Sequence, residues 1–320
     1  MNTRDGFPTG GSRGDHPTSR ALRQIAVIGD GTGRGQPEPP EWPLEARLAG
    51  DADVIQGLAR VPTVVAVATS SDTTAQFATR IQQLPARASA VFLTRTDPAR
   101  ARTVQHLVEQ TGERRLVLTE DDATAIALAA AAGVYLHRLG RDPRRCRILV
   151  AGAEQMPILS PLLLASGFHD IMLWNNADGT WFPLRRAARD ADVVIDLQRG
   201  DPPLAATAPS KDPGPIELDL DRPEGSVITR RGCVARTLVA PGLLRALTEH
   251  PPEALPLGPH RGLGLYRVCA QAAARATPPR RLLHDQALDC ALAAAIADAI
   301  TAALHLSLTR PRAPDRQPGC

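Results

Sequence analysis

Lysine is almost missing from this chain of 320 residues: Lys211 is the single one, and arginine supplies the other 36 of its 37 basic side chains. Chemistry that needs a poised amine therefore has one residue to draw on. Aromatic side chains make up only 3%, too few for the stacking platforms that grip single-stranded nucleic acid. The arginine pairs Arg114–Arg115, Arg144–Arg145, Arg185–Arg186 and Arg230–Arg231 are scattered, and the net charge is only +3. A nucleic-acid surface would be a concentrated basic stripe, so no nucleic-acid partner is expected. The five cysteines, Cys146, Cys233, Cys269, Cys290 and Cys320, are odd in number and never spaced CxxC, which excludes a disulfide scaffold or a structural zinc site and points to a reducing cytoplasm. No unbroken run of about 18 apolar residues occurs, so no membrane span is expected, and residues 1–20 lack the apolar core of a secretory signal. A GxSxG elbow, a P-loop, a heptad seam and internal repeats are also lacking.

What is present is ordinary globular composition, 43% hydrophobic and 22% charged, in a length that fits about two domains. Short β-branched runs alternate with helical patterns, the signature of an α/β fold. Residues 1–22 and 310–320 are polar and read as flexible tails. Between them, strands are expected at 24–31, 61–69, 89–94 and 115–119, with helices at 71–84 and 98–110. A second block opens near 122 with an Ala-rich helix over 122–140. Strands follow at 145–153, 169–176, 192–197 and 215–221, with helices at 156–167, 182–191 and 285–306. This yields an N-terminal α/β domain over 23–121 and a Rossmann-like, doubly wound parallel-sheet domain over 122–309.

The stretches AVFLTRTDPARARTVQHLVEQ (90–110), LVLTEDDATAIALAAAAGV (116–134), RILVAGAEQMPILSPLLLASGFHDIMLWNNADG (147–179) and DADVVIDL (190–197) are collinear with the malic enzyme family in its short bacterial form. IGDGTGRG (28–35) and VAPGLLRAL (239–247) extend the resemblance over roughly residues 24–305. It implies a malic-enzyme-like N-terminal domain, a dinucleotide-binding domain, NAD or NADP, a divalent metal, and oxidative decarboxylation of malate. It also makes residues 249–284 an insertion that covers the cleft or contacts a partner.

The resemblance places each functional position. Gln56 or Gly57 stands at the family's lysine base, and neither titrates. Tyr135 and Tyr266 are the only tyrosines, and neither precedes the first strand, where the family's tyrosine lies. Thr94 and Arg95 align with the first two metal ligands, so a fixed positive charge falls where hard cations want carboxylates. Glu120, Asp121 and Asp122 match the third ligand region, and acids there also cap a helix. The dinucleotide turn reads Ala151, Gly152, Ala153, Glu154, Gln155, Met156, with one glycine where several should let backbone approach a pyrophosphate. Glu154 adds negative charge and Met156 adds bulk where helix and strand should pack closely. Asn175 falls at the ribose-binding acid, with Asn176 beside it and Asp178 three residues on. Arg222 and Arg236 align with the substrate asparagines; Arg236 suits a carboxylate. His106 and His137 read as packing or surface residues.

Three readings follow. The leading one is a pseudoenzyme that binds a metabolite or a protein. The second is an active, divergent oxidoreductase on malate or a related hydroxy acid, with an acid among Glu120, Asp121 and Asp122 as base. The third is a structural partner, in a homodimer or paired with a catalytic homologue.

Overall fold

The structure, a computed structural model, describes residues 23–33, 42–67, 72–111, 115–198, 227–229, 238–250, 261–278 and 290–309. Strands β1 (Gln24–Gly29), β2 (Thr63–Val67), β3 (Ala88–Leu93) and β4 (Leu116–Thr119) form a parallel sheet in the order β2-β1-β3-β4. Val27 of β1 lies beside Val65 of β2 and Phe92 of β3. Both faces of this sheet are covered, which is why β1 reads as an unbroken apolar run. Ile25 and Val27 face one cluster with helix α1 (Leu44–Ala59); Ala26 and Ile28 face another with α2 (Thr74–Gln82) and α3 (Pro98–Gln110). Successive side chains on a strand point to opposite faces, so each residue class finds its own layer.

The Asp97-Pro98 pair starts α3 where the sequence places it: Asp97 accepts from the amides of Ala99 and Arg100, and Pro98 occupies the first turn. Helix α1 was not expected. Its face Leu48, Ala52, Ile55, Ala59 is fully buried, but the Pro-rich stretch before it and the polar residues between these four obscure the period.

Helix α4 (Glu120–Arg138) is buried nearly all round, and its alanines permit that close approach. A reciprocal cap fixes its start: the Thr119 hydroxyl accepts from the Asp122 amide, and the Asp122 carboxylate accepts from the Thr119 amide. Strands β5 (Arg147–Ala151), β6 (Asp170–Trp174), β7 (Val193–Asp196) and β8 (Val227–Thr229) form a second parallel sheet in the order β6-β5-β7-β8. The fourth strand is thus Val227–Thr229; the expected one at 215–221 lies outside the described residues. Helix α5 (Leu159–Ala165) covers the inner face of this sheet, and α6 (Leu184–Arg189) covers the outer face.

Helices α7 (Ala240–Glu249), α8 (Arg261–Ala276) and α9 (Cys290–Thr309) complete the described residues. One hydrophobic cluster takes in Val27 and Phe92 of the first sheet, Ile148 and Ile195 of the second, and residues of α4, α7, α8 and α9. Within the stretch read as an insertion, α8 is part of this core: Leu265, Tyr266, Cys269 and Ala273 are buried. Helix α9 bears on the expectation of no spanning segment. Cys290–Leu308, 19 residues with mean hydropathy 1.7, is long and apolar enough by composition to cross a membrane. Asp298, Thr301 and His305 interrupt the run but do not lower its average enough. Here α9 packs Ile296, Ile300 and Leu304 into the core, and Arg245 of α7 pairs with Asp298.

Candidate functional site: two self-filled crevices

The two sheets share one strand order, and in each the chain crosses to opposite sides after its first strand. Open α/β sheets hold ligands at that switch point, beyond the carboxyl ends of the strands. In the first sheet this point lies between the ends of β1 and β3; in the second, between β5 and β7.

At the first switch point, the loop after β1 is joined to the loop after β3. The Gly33 amide donates to Arg95 O (3.1 Å), and the Asp97 amide to the Thr32 hydroxyl (2.9 Å). Asp30, wholly buried at its side chain, accepts from the Thr32 hydroxyl (2.6 Å) and pairs with Arg100 (2.6 Å). Arg100 also reaches Asp72 O. The approach is so close that a Cβ on Gly29 would stand 2.3 Å from Thr94 O, and one on Gly33 would stand 2.7 Å from the Thr96 amide. Sequence reading took Asp30-Gly31-Thr32 into the resemblance but gave it no partner.

Arg95 sits in the middle of this arrangement with a left-handed backbone, φ 52°. Its guanidinium bonds both carboxylate oxygens of Asp51 on α1, at 2.6 and 3.0 Å, and the pair is 6% and 10% exposed. Glu120 accepts from the Thr94 hydroxyl (3.1 Å) and the Arg95 amide (3.3 Å). Asp121 pairs with Arg102 of α3 at 2.9 Å. Asp122 turns the other way, into a buried group with Thr119, Gln105 (2.9 Å) and Tyr266. The three acids at the start of α4 thus each have a partner of their own in these contacts. Among the described residues, no group of three or more His, Cys, Asp or Glu side chains could hold a metal ion. With Arg95 on Asp51, this crevice does not fit a divalent cation.

Burial raises the Asp122 carboxyl above the ordinary carboxyl range, against the pull of its hydrogen bonds. Burial, with the Asp122 charge beside it, pushes the Tyr266 phenol well above its usual value. Burial also pushes up the Cys269 thiol one turn away.

Gln56 and Gly57, the positions aligned with the family base, are on the exposed side of α1. Gln56 accepts from the amide and hydroxyl of Thr63, both at 3.1 Å. Thr63 begins β2, so Gln56 marks the amino end of the sheet, opposite the end that carries Arg95. Tyr135 is buried in α4, His106 contacts Gln110, and His137 is exposed. Lys211, Arg222 and Arg236 lie outside the described residues.

At the second switch point the turn after β5 spends its own amides. Gly152 donates to Trp174 O (2.7 Å), Gln155 to Gly152 O (2.9 Å) and Met156 to Ala153 O (3.2 Å). Glu154 donates to the Asn175 side chain (3.1 Å). A pyrophosphate cradle works by presenting free amides, and these four are engaged. Gly152 is left-handed, φ 78°, and a Cβ there would stand 2.9 Å from Gln198 Cγ. Gln198 lies over the turn and donates to Asn176 (2.7 Å). Asn175 and Asp178 cap one turn reciprocally. The turn thus does not fit a dinucleotide. Met156, 1% exposed, packs into the core beside this turn. Asp51, Arg100 and Gln198 escaped sequence reading, since nothing local distinguishes them, and Tyr266 was named there without a partner.

Neither a scan of protein-family models nor a search of curated proteins finds a match to this chain. Solved structures do match. The malic enzyme of Pyrococcus horikoshii Ot3 superposes with a TM-score of 0.62 at 15% identity, over 93% of this chain and 79% of that one. The NAD-dependent malic enzyme of Thermotoga maritima gives 0.60 at 15%, over 88% and 84%. The malic enzyme of Entamoeba histolytica gives 0.61 at 14%, over 90% and 70%. At these identities the likeness is one of architecture: two parallel α/β units and the helices packed around them give this chain a malic-enzyme-like fold.

Proposed function

We propose that this protein has kept the malic enzyme scaffold and given up oxidative decarboxylation of malate, acting instead by binding a metabolite or another protein. The observation that carries this reading is the engagement of the turn amides at Gly152, Glu154, Gln155 and Met156 within the chain. Hydride transfer needs a dinucleotide held at that turn, and a bound phosphate would have to displace Asn175 and Gln198 first. The near-absence of lysine, with Lys211 the single one, adds to it, because losing a general base alone costs about 10²–10⁴-fold in rate. Pairing with a second copy or with a catalytic homologue, in a reducing cytoplasm, belongs to the same proposal; the buried free thiols Cys146 and Cys269 accord with that compartment.

The test is malate-dependent reduction of NAD and NADP with manganese present, beside calorimetric titration of each nucleotide. The expected result is no reduction and no binding heat. Turnover of about 1 s⁻¹, the low end of usual enzyme rates, would overturn the proposal, as would tight NAD binding.

A further inference from the structure

We infer that the Arg95 guanidinium is the resident cation of the first crevice, pairing with Asp51 in place of a divalent ion and closing the crevice to such ions. Asp51 comes from α1, Asp30 from the end of β1, and Glu120 from the start of α4. All come to the carboxyl end of β3, where Arg95 of the following loop and Arg100 of α3 meet them. Carboxylates brought to one place repel unless cations lie among them. Arg95 supplies that charge covalently, with a planar fork that matches both oxygens of Asp51. Its own amide binds Glu120, so a single residue joins α1, β3 and α4. The left-handed backbone of Arg95 is uncommon for a residue with a side chain, and it is kept where the side chain makes this buried pair.

The inference concerns the charge on Arg95 alone and stands or falls apart from the binding role proposed above. Its test uses the full chain, manganese as the probe, thermal unfolding, and the electron paramagnetic resonance of free Mn²⁺. The wild type is expected to melt at the same temperature in chelator and in millimolar MnCl₂, and to leave the free Mn²⁺ signal unchanged. Arg95→Asp suits the left-handed backbone, since Asp adopts it more readily than most residues, and it exchanges the cation for another acid. It is expected to melt lower in chelator, to regain several degrees with MnCl₂ by ligand linkage, and to deplete free Mn²⁺. Adding Asp51→Asn should abolish that response. If Arg95→Asp does not fold, Arg95→Gln carries the decision, since it removes the charge at similar size and is expected to gain the same response to manganese. Manganese binding by the wild type that Asp51→Asn weakens would overturn the inference. So would an Arg95→Gln variant that folds, melts like the wild type and ignores manganese.

Discussion

The Tyr266 phenol of α8 lies beside the Asp122 carboxyl of α4, and both residues are buried. The contact joins a residue from the stretch read as a metal-ligand region to a helix from the stretch read as an insertion. Gln105 and Thr119 supply donors to the same carboxyl. The group ties α3, the start of α4 and α8 together beneath the first sheet's carboxyl edge.

Tyr266→Phe removes the hydroxyl beside a buried carboxyl and leaves the ring in place. The expected loss is about 1–3 kcal/mol, the scale for a buried polar group that loses its partner. A lower urea midpoint with an unchanged slope is the expected result. An unchanged midpoint would show that the hydroxyl contributes nothing net.

Asp122 has its carboxyl raised in the folded state, chiefly by burial. The folded protein therefore holds that proton to higher pH than the unfolded chain does. The resulting stability is complete below the unfolded value of about 3.9 and is lost as pH rises through the folded value. Asp122→Asn has no such proton. Relative to the wild type, the variant is expected to gain stability as pH climbs from about 4 upward, read from paired urea midpoints across that range. A difference that stays level with pH would contradict burial as the dominant cause.

Two glycine substitutions are expected to act in opposite directions. At Gly29 a Cβ would meet Thr94 O at 2.3 Å, and backbone cannot swing aside, so Gly29→Ala should destabilise by at least the ~1–3 kcal/mol of an overpacked site. At Gly57 nothing lies within 4 Å on an exposed helix face, so Gly57→Ala should stabilise by about 0.5–1 kcal/mol. Thermal melts of the two variants settle both signs.

Met156→Gly empties a fully buried site and should cost about 2–5 kcal/mol, the range for large-to-small core substitutions. Glu154→Ala touches an exposed side chain and leaves the Glu154 amide on Asn175, so its effect should fall within about 0.5 kcal/mol. Neither frees the turn amides, so calorimetry with NAD should give no heat for the double variant. Binding there would place the obstruction in these two side chains and not in the backbone.

The alternation of strands and helices was readable from the chain because its signals are local. Asp97-Pro98 starts α3, Thr119 with Asp122 starts α4, and the apolar runs of β1, β3, β5 and β7 announce strands buried on both faces. Helix α1 was lost behind a Pro-rich stretch, and the strand at 227–229 was not read from the chain. Arg95, Glu154 and Asn175 were read from the sequence as substitutions and Gly152 as the one glycine of its turn, but not what each would touch.

Those partners were decided by the tertiary structure. Asp51 meets Arg95 across 44 residues, Asp30 meets Arg100 across 70, and Gln198 meets Asn176 across 22. Spacing along the chain carries no record of such pairs. They form because parallel strands bring distant loops to one carboxyl edge, where each buried charge or amide must find a partner or bear the cost of leaving water.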